Sequence, residues 1–177
     1  MENTLKICKI REVKTPSRAH DTDAGIDFYV PTDLTIEDMQ PKFETAGCAL
    51  KTIKDDQGHI SKFILRSGES VLIPSGIKMK VPEGHMLQFR NKSGIAAKRH
   101  LLVGSEIVDV GYEGEAHINL HNVGSTPQEI NAGDKIVQGV LVPVNFAQTE
   151  VIEAEEELFA GSKSARGEGG FGSSGTK

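Results

Sequence analysis

The sequence predicts a mainly β fold. Two observations carry that expectation. Apolar residues alternate with polar ones in short runs, the two-residue period of strands that bury one face, and the runs are broken by Gly, Pro, Asp and Asn at turn positions. At 177 residues, without a composition break, the chain is expected to form one domain with a substantial core.

In chain order, alternation predicts strands over residues 5–10, 26–30, 70–73, 77–81, 86–89, 115–122 and 137–144. Turns are expected at Pro74-Ser75-Gly76, Pro82-Glu83-Gly84, Val110-Gly111 and Ala132-Gly133-Asp134. Residues 35–65 behave differently. They open on a weakly helical TIEDMQPKFET and continue as ALKTIK, DDQG and HISKFIL, which predicts a peripheral hairpin turning at Asp55-Asp56-Gln57-Gly58. A short helix is expected over residues 93–98, SGIAAK, with Ser93 as N-cap. After Val144 the core pattern stops and residues 145–177 read as an acidic linker and a Gly/Ser-rich arm.

Net charge is −5, and charged residues, 25% of the chain, are spread along it, which argues against a nucleic-acid binder with a broad basic face. A polyanionic substrate must therefore meet a local cluster of cations. The first residues lack the apolar run of a signal peptide, and no segment approaches the roughly 18 apolar residues of a membrane span. A cytoplasmic protein without membrane partners is expected. Cys8 and Cys48 form neither a C-x-x-C pair nor a His/Cys metal spacing and read as reduced thiols.

Five segments carry residues suited to chemistry. In DTDAGIDFYV, Asp27 follows an Ala24-Gly25 pair that allows close backbone approach, and it could orient a cation, metal-bound water or a local turn. FRNKSGIAAK places Arg90, Lys92 and Ser93 before a helix start: cations, a hydroxyl and free N–H groups suited to phosphate. VGSEIVDVGYEGEAHINLHN reads as a hairpin with Asp109, Gly111 and Tyr112 at its tip, where a carboxylate could take a proton from water and a ring could lie against a sugar. In NAGDKIVQGVLVPV, Gln138 is a lone amide in an apolar strand and needs a partner, phosphate or backbone. In RGEGGFGSSG, Arg166 and Phe171 sit among glycines, one guanidinium for phosphate and one ring for stacking, with backbone N–H groups exposed between them.

In this order, AGID (24–27), KSG (92–94), VDVGYEG (108–114), GDKIVQ (133–138) and RGEGGFGSSG (166–175) resemble the five motifs of the homotrimeric deoxyuridine triphosphatase family, A-G-x-D, R-S-G, I-D-x-x-Y-x-G, G-D-R-I-x-Q and R-G-x-G-G-F-G-S-T-G. The resemblance spans nearly the whole chain. It implies a jelly-roll-type β-barrel of the dUTPase-like β-clip kind, with residues 1–144 as the catalytic barrel, an inserted segment at about 35–65 and a flexible arm within 145–177. It implies a homotrimer with sites shared between subunits, and hydrolysis of dUTP to dUMP and pyrophosphate with Mg²⁺, limiting uracil incorporation into DNA. Asp109 would be the base that activates water against the α-phosphate. Tyr112 would pack beneath deoxyribose, and the backbone around Val108 would read uracil. Lys92, Ser93, Gly94 and Gln138 would hold phosphates. Asp27 and Arg90 would support the site, Asp27 near Mg²⁺ through water, the ion being held mainly by the phosphates. Arg166, Gly172, Ser173 and Ser174 would clamp the outer phosphates while Phe171 stacks over the base.

Three positions depart from the family pattern. Lys92 stands for arginine, and lysine makes no planar bidentate contact, so Arg90, two residues earlier on the same strand face, is a candidate to supply the guanidinium. Glu106 stands where many relatives have glycine, which opens the question of strict uracil preference. The stretch 35–65 is extra and could contact a protein partner or enlarge the barrel rim. A dCTP deaminase, alone or combined with dUTP hydrolysis, is the nearest alternative, but the position of its catalytic glutamate reads as Asn119. A dUTPase-like regulatory binding module is the alternative from another class.

Overall fold

The structure is a computed structural model that describes residues 4–39, 51–161, 164, 167 and 169. Its elements run β1 (Lys6–Lys9), β2 (Gly25–Tyr29), α1 (Ile36–Met39), β3 (Lys51–Lys54), β4 (Ile60–Leu65), β5 (Ser70–Lys80), β6 (His85–Asn91), α2 (Ser93–Arg99), β7 (Leu101–Val103), β8 (Ile107–Val108), β9 (Glu115–Asn122), β10 (Gln128–Asn131), β11 (Lys135–Pro143) and α3 (Glu155–Leu158). The chain divides into two units, Met1–Asn145 and Phe146–Lys177.

In the first unit the strands form three antiparallel sheets with orders β1-β5-β9-β7, β10-β4-β3 and β2-β11-β6-β8. They wrap one core in a jelly-roll-like arrangement that does not close into a single barrel ladder among the described residues. Strand β9 shows why the alternation in the sequence was informative. Ala116, Ile118, Leu120 and Asn122 are buried while Glu115, His117, Asn119 and His121 remain half-buried on the other face. Opposite them, Phe28 of β2 and Phe89 of β6 meet edge to face with centroids 5.1 Å apart, an arrangement that adds about 0.5–1.5 kcal/mol beyond area burial. The buried Asn122 is fully engaged: its amide donates to the Leu65 and Thr126 carbonyls, and its oxygen accepts from the Gly124 N–H.

The structure differs from the sequence expectation in four places. Pro74-Ser75-Gly76 does not separate two strands. β5 runs through it with a register shift against β9, and Gly76, at φ 71°, takes up the irregularity. The hairpin within 35–65 forms as expected, with Asp55 Oδ1 accepting the N–H groups of Gln57 and His59, but it is not peripheral. Ile60, Phe63 and Leu65 of β4 are buried in the main core, and β4 is the central strand of its sheet. Helix α2 starts at Ser93, with Lys92 as the N-cap and no side-chain capping bond. The hairpin expected over residues 103–122 splits. β7 pairs with β9, whereas β8 crosses to β6, so the chain between them is splayed open.

The second unit holds α3 and extended chain, with Val151, Leu158 and Phe159 exposed. Cys8 is exposed and unbridged. Cys48, like Arg166, Phe171, Gly172, Ser173 and Ser174, lies outside the described residues. Among the described residues, no helix is long and apolar enough to cross a membrane.

Candidate active site

Strands β2, β11 and β6 lie side by side, and their register sets Asp27, Gln138 and Arg90 opposite one another across the sheet. The face behind them is core, formed by Phe28, Val137 and Phe89, so the alternation that packs the interior also aims these three polar residues at the other side.

Asp27 is 4% exposed. A buried carboxylate of that kind requires partners, and it has two ammonium groups. Lys92 Nζ hydrogen-bonds Oδ1, and Lys135 Nζ lies 2.9 Å from Oδ2. Burial pushes the Asp27 carboxyl upward, but the hydrogen bonds and charges of Lys92 and Lys135 outweigh it and hold the group below the ordinary aspartate range. The same contact raises the Lys135 ammonium. The carboxylate thus collects two cations at the mouth of a cleft of about 280 Å³ lined by Lys92, Ser93, Gly94, Ile95, Lys135 and Gln138.

Gln138 donates Nε2–H to the Asn91 carbonyl at 2.9 Å. Its position depends on Gly25, where any Cβ would collide with the Gln138 side-chain oxygen. This explains the glycine beside Asp27 as a packing requirement. Asn91 is tied in as well, its Oδ1 accepting the Val103 N–H at 2.8 Å. The cleft therefore has cationic, amide and hydroxyl groups on strand β11 and the start of α2, the donor set that a chain of phosphates calls for.

A second cleft, of about 150 Å³, opens where β8 and β9 splay apart, lined by Phe89, Ser105, Ile107, Val108, Asp109, Tyr112, Ala116 and His117. Its wall is largely apolar, with Ile107 59% and Tyr112 47% exposed. Asp109 is exposed at its rim. The Tyr112 N–H closes the turn on the Asp109 carbonyl at 3.3 Å, and the Tyr112 hydroxyl donates to the Glu115 carbonyl at 3.0 Å. An apolar slot with an exposed carboxylate at its edge suits a flat ring and a water awaiting deprotonation.

The residues singled out in the sequence are thus distributed between two clefts. Lys92, Ser93, Gly94 and Gln138 share the first with Lys135, which sequence reasoning passed over. Its signal was present, because Lys135 occupies the arginine position of the fourth motif. Val108, Asp109 and Tyr112 share the second. Arg90 lines neither. Its Nη1 is 3.6 Å from Glu106 Oε2, and Gln88 Nε2 donates to the same carboxylate oxygen at 2.9 Å. The residues at 90 and 106 therefore answer each other: Glu106 fastens the segment entering β8 to β6, aided by its carbonyl, which accepts the Phe89 N–H at 2.7 Å. Asn119 faces His121, not the second cleft.

For a divalent ion, the described residues include no group of three or more His, Cys, Asp or Glu side chains arranged as ligands. Both Asp27 oxygens already hold ammonium groups. The donor set does not form a protein cage for Mg²⁺, and it fits an ion that is held by substrate phosphates.

The depressed Asp27 carboxyl predicts a pH dependence of stability. A carboxylate held below its unfolded value stabilises the fold above about pH 4 and loses that contribution as pH falls through the lower, folded value. The urea midpoint of Asp27→Asn should lie below that of the unmutated protein at neutral pH, and the two should converge as pH falls below the ordinary aspartate range. A difference that stays constant with pH would show that the ionised form contributes nothing.

A dUTPase family model matches residues 56–175. The chain is 39% identical over 134 residues to the deoxyuridine 5'-triphosphate nucleotidohydrolase of Wolbachia pipientis, covering 75% of this chain and 82% of that protein. It is 37% identical over 140 residues to the enzyme of the same name from Chlamydia caviae, covering 77% and 91%. Among solved structures, a Staphylococcus bacteriophage 80alpha dUTPase with dUPNHPP superposes with a TM-score of 0.71 at 25% identity, over 98% of this chain and 99% of that one. A point mutant of the dUTPase from phage phi11 of S. aureus, in which a structural Mg(II) ion is coordinated, superposes with a TM-score of 0.64 at 23% identity, over 87% and 99%.

Proposed function

This chain belongs to the dUTPase family and hydrolyses dUTP, and from that premise we propose how its residues divide the reaction. The observation that carries the proposal is the separation of a cationic cleft from an apolar cleft with a carboxylate at its rim. In the β6–β8 ladder Val108 stands opposite Leu87, and Lys92 follows five residues farther on. At about 3.3 Å per residue, Asp109 and the Lys92 cleft of one chain are roughly 17 Å or more apart, too far for one α-phosphate to be served by both. Two subunits, one giving the phosphate cleft and its neighbour the Asp109 cleft, resolve that distance. The reading is therefore a site shared between subunits, and the homotrimer is what the resemblance to the deoxyuridine triphosphatase family implies.

In it, uracil and deoxyribose enter the slot between Val108 and Tyr112, and the ring of Tyr112 leaves no room for a 2′-hydroxyl. Lys92, Lys135, Ser93, Gly94 and Gln138 of the neighbour take the phosphates. Asp109 accepts a proton from water, whose oxygen attacks the α-phosphorus. The bond to the bridging oxygen breaks, and pyrophosphate leaves from dUMP. Mg²⁺ held by the triphosphate would supply charge neutralisation and polarisation of the phosphoryl group, while Lys92, Lys135 and Gln138 hold the phosphates. Arg166 and Phe171 close over the substrate, with Gly172, Ser173 and Ser174 on the outer phosphates. The reading takes the enzyme as cytoplasmic, in a host cell if the source is viral, where a soluble nucleotide substrate would reach it.

The test is a panel of dUTP, dTTP, dCTP, dATP, dGTP and UTP with Mg²⁺, assayed for pyrophosphate and ammonia. A site whose backbone pairs with the base edge should favour dUTP by about 100-fold or more, without ammonia from dCTP. Equal hydrolysis of all six would overturn the specificity, and ammonia from dCTP would favour a deaminase.

A further inference from the structure

The Tyr112 hydroxyl and His117 Nδ1 share one acceptor, the main-chain oxygen of Glu115, at 3.0 and 2.8 Å. Tyr112 is further confined by Gly114, where a Cβ would collide with the phenol. The orientation of the tyrosine ring is therefore set by the placement of the Glu115 backbone, the first residue of β9. What fixes Glu115 comes from distant parts of the chain. Arg11 Nε donates to Glu115 Oε1 at 2.9 Å and Nη2 to Oε2 at 3.3 Å, a bidentate pair across 104 positions. The Gly76 N–H, from the irregular part of β5, donates to the same Oε1 at 2.8 Å. The remaining arm of the guanidinium, Nη1, lies 2.9 Å from Asp38 Oδ1 in α1. Asp38 is itself held by Thr35, whose N–H and hydroxyl both donate to Oδ2, at 2.9 and 3.0 Å.

All three charged groups are shielded, with side-chain exposures of 21% for Arg11, 13% for Glu115 and 24% for Asp38. An ion pair that is partly desolvated and bidentate holds a geometry more firmly than an exposed one. None of the three lines either cleft, and the contact that links them to one is the Glu115 carbonyl on the Tyr112 hydroxyl.

We propose that Arg11 is a positioning residue for the reaction, its guanidinium locking Glu115, and through the Glu115 carbonyl the Tyr112 ring, against Asp38. The segment that begins at Thr35 is thereby coupled to sugar selection in the Asp109 cleft. The inference rests on the assignment of that cleft to the deoxyribose and base.

The experiment compares the unmutated full chain with Arg11→Ala, Arg11→Lys and Asp38→Asn, alone and on a Tyr112→Phe background. It measures kcat, KM, the dUTP-to-UTP preference, oligomeric state and Tm. Arg11→Ala should reduce the preference and kcat by about 10-fold, within the roughly 10²-fold that a displacement of about 1 Å can cost. Arg11→Lys keeps the charge without the fork, so it should recover Tm more than preference. Asp38→Asn, which leaves the Arg11–Glu115 pair in place, should shift preference by about 3-fold in the same direction and keeps the test open if Arg11→Ala fails to fold. On Tyr112→Phe, where the link is already cut, both effects should shrink. An unchanged preference, or full additivity with Tyr112→Phe, overturns the positioning role while dUTP hydrolysis by the unmutated chain stands. An unmutated chain without dUTP turnover overturns the functional reading first, and this inference with it.

Discussion

Asp109→Asn is expected to lower kcat for dUTP by about 10²- to 10⁴-fold, the range in which a positioned general base contributes. The amide has the carboxylate's shape and removes only its capacity to accept a proton. The turn should survive, because the bond closing it runs from the Tyr112 N–H to the main-chain oxygen of Asp109. In the proposed reading substrate contacts lie elsewhere, in the apolar slot and in the Lys92 cleft, so KM should move by only a few-fold. Loss in kcat at constant KM marks an interaction made in the transition state. Pyrophosphate release under saturating dUTP, with Tm as the control for folding, checks the result. Turnover within about 10-fold of the unmutated protein would remove Asp109 from the base role and return attention to the other groups lining its cleft.

The parts of this molecule that could be read from its sequence are those governed by local periodicity. Strand β9 has its full extent written in the alternation Ala116, Ile118, Leu120, because each strand residue reports its own side of the sheet. Turn residues were equally local at Gly84, Gly111 and Gly133, which all adopt positive φ. Pairings between distant segments carry no such mark. Nothing in SEIVD states that Ile107 and Val108 desert β9 for β6, yet that desertion opens the cleft beside Asp109. Arg90 was expected to assist Lys92 because strand alternation puts both on one face, but alternation carries no mark of Glu106, which captures the guanidinium from the segment entering β8. The hairpin of β3 and β4 was legible as a hairpin and illegible as core, since Ile60, Phe63 and Leu65 are buried by partners far away in sequence. Deleting residues 35–65 would therefore remove core and is no clean separation of a partner surface.

Electrostatic partnership follows the same rule. Asp27 was legible as a polar residue in a strand beside a small pair. Its two ammonium partners come from the ends of β6 and β11, so only the sheet register explains why a buried carboxylate is stable there. That register also makes Asp27 the group that gathers Lys92 and Lys135 into one cationic cleft. Lysine at both motif positions leaves this cleft without a guanidinium among the described residues, a planar fork that phosphate oxygens favour.

A chain ending at Ala165 is expected to lose about 10³-fold or more in kcat/KM for dUTP, since removal of even one preorganised donor costs roughly 10²–10³ in related settings. The loss should come without unfolding. Among the described residues, every buried apolar residue of the core, from Val13 to Val137, belongs to the unit Met1–Asn145. Residues 166–175, RGEGGFGSSG, are too rich in glycine to build a core of their own. Their content is instead donors and one ring: Arg166, the hydroxyls of Ser173 and Ser174, backbone N–H groups, and Phe171. In the proposed reading Lys92 and Lys135 act as point charges and Arg166 makes the bidentate phosphate contact, so Arg166→Ala alone should account for most of the truncation. Arg166→Lys should fall close to Arg166→Ala if the fork is what matters, and close to the unmutated protein if charge suffices. Steady-state kinetics on the three chains, with Tm and oligomeric state as controls, separate the outcomes. A truncated chain that keeps its turnover would make the segment a terminus without a role in hydrolysis.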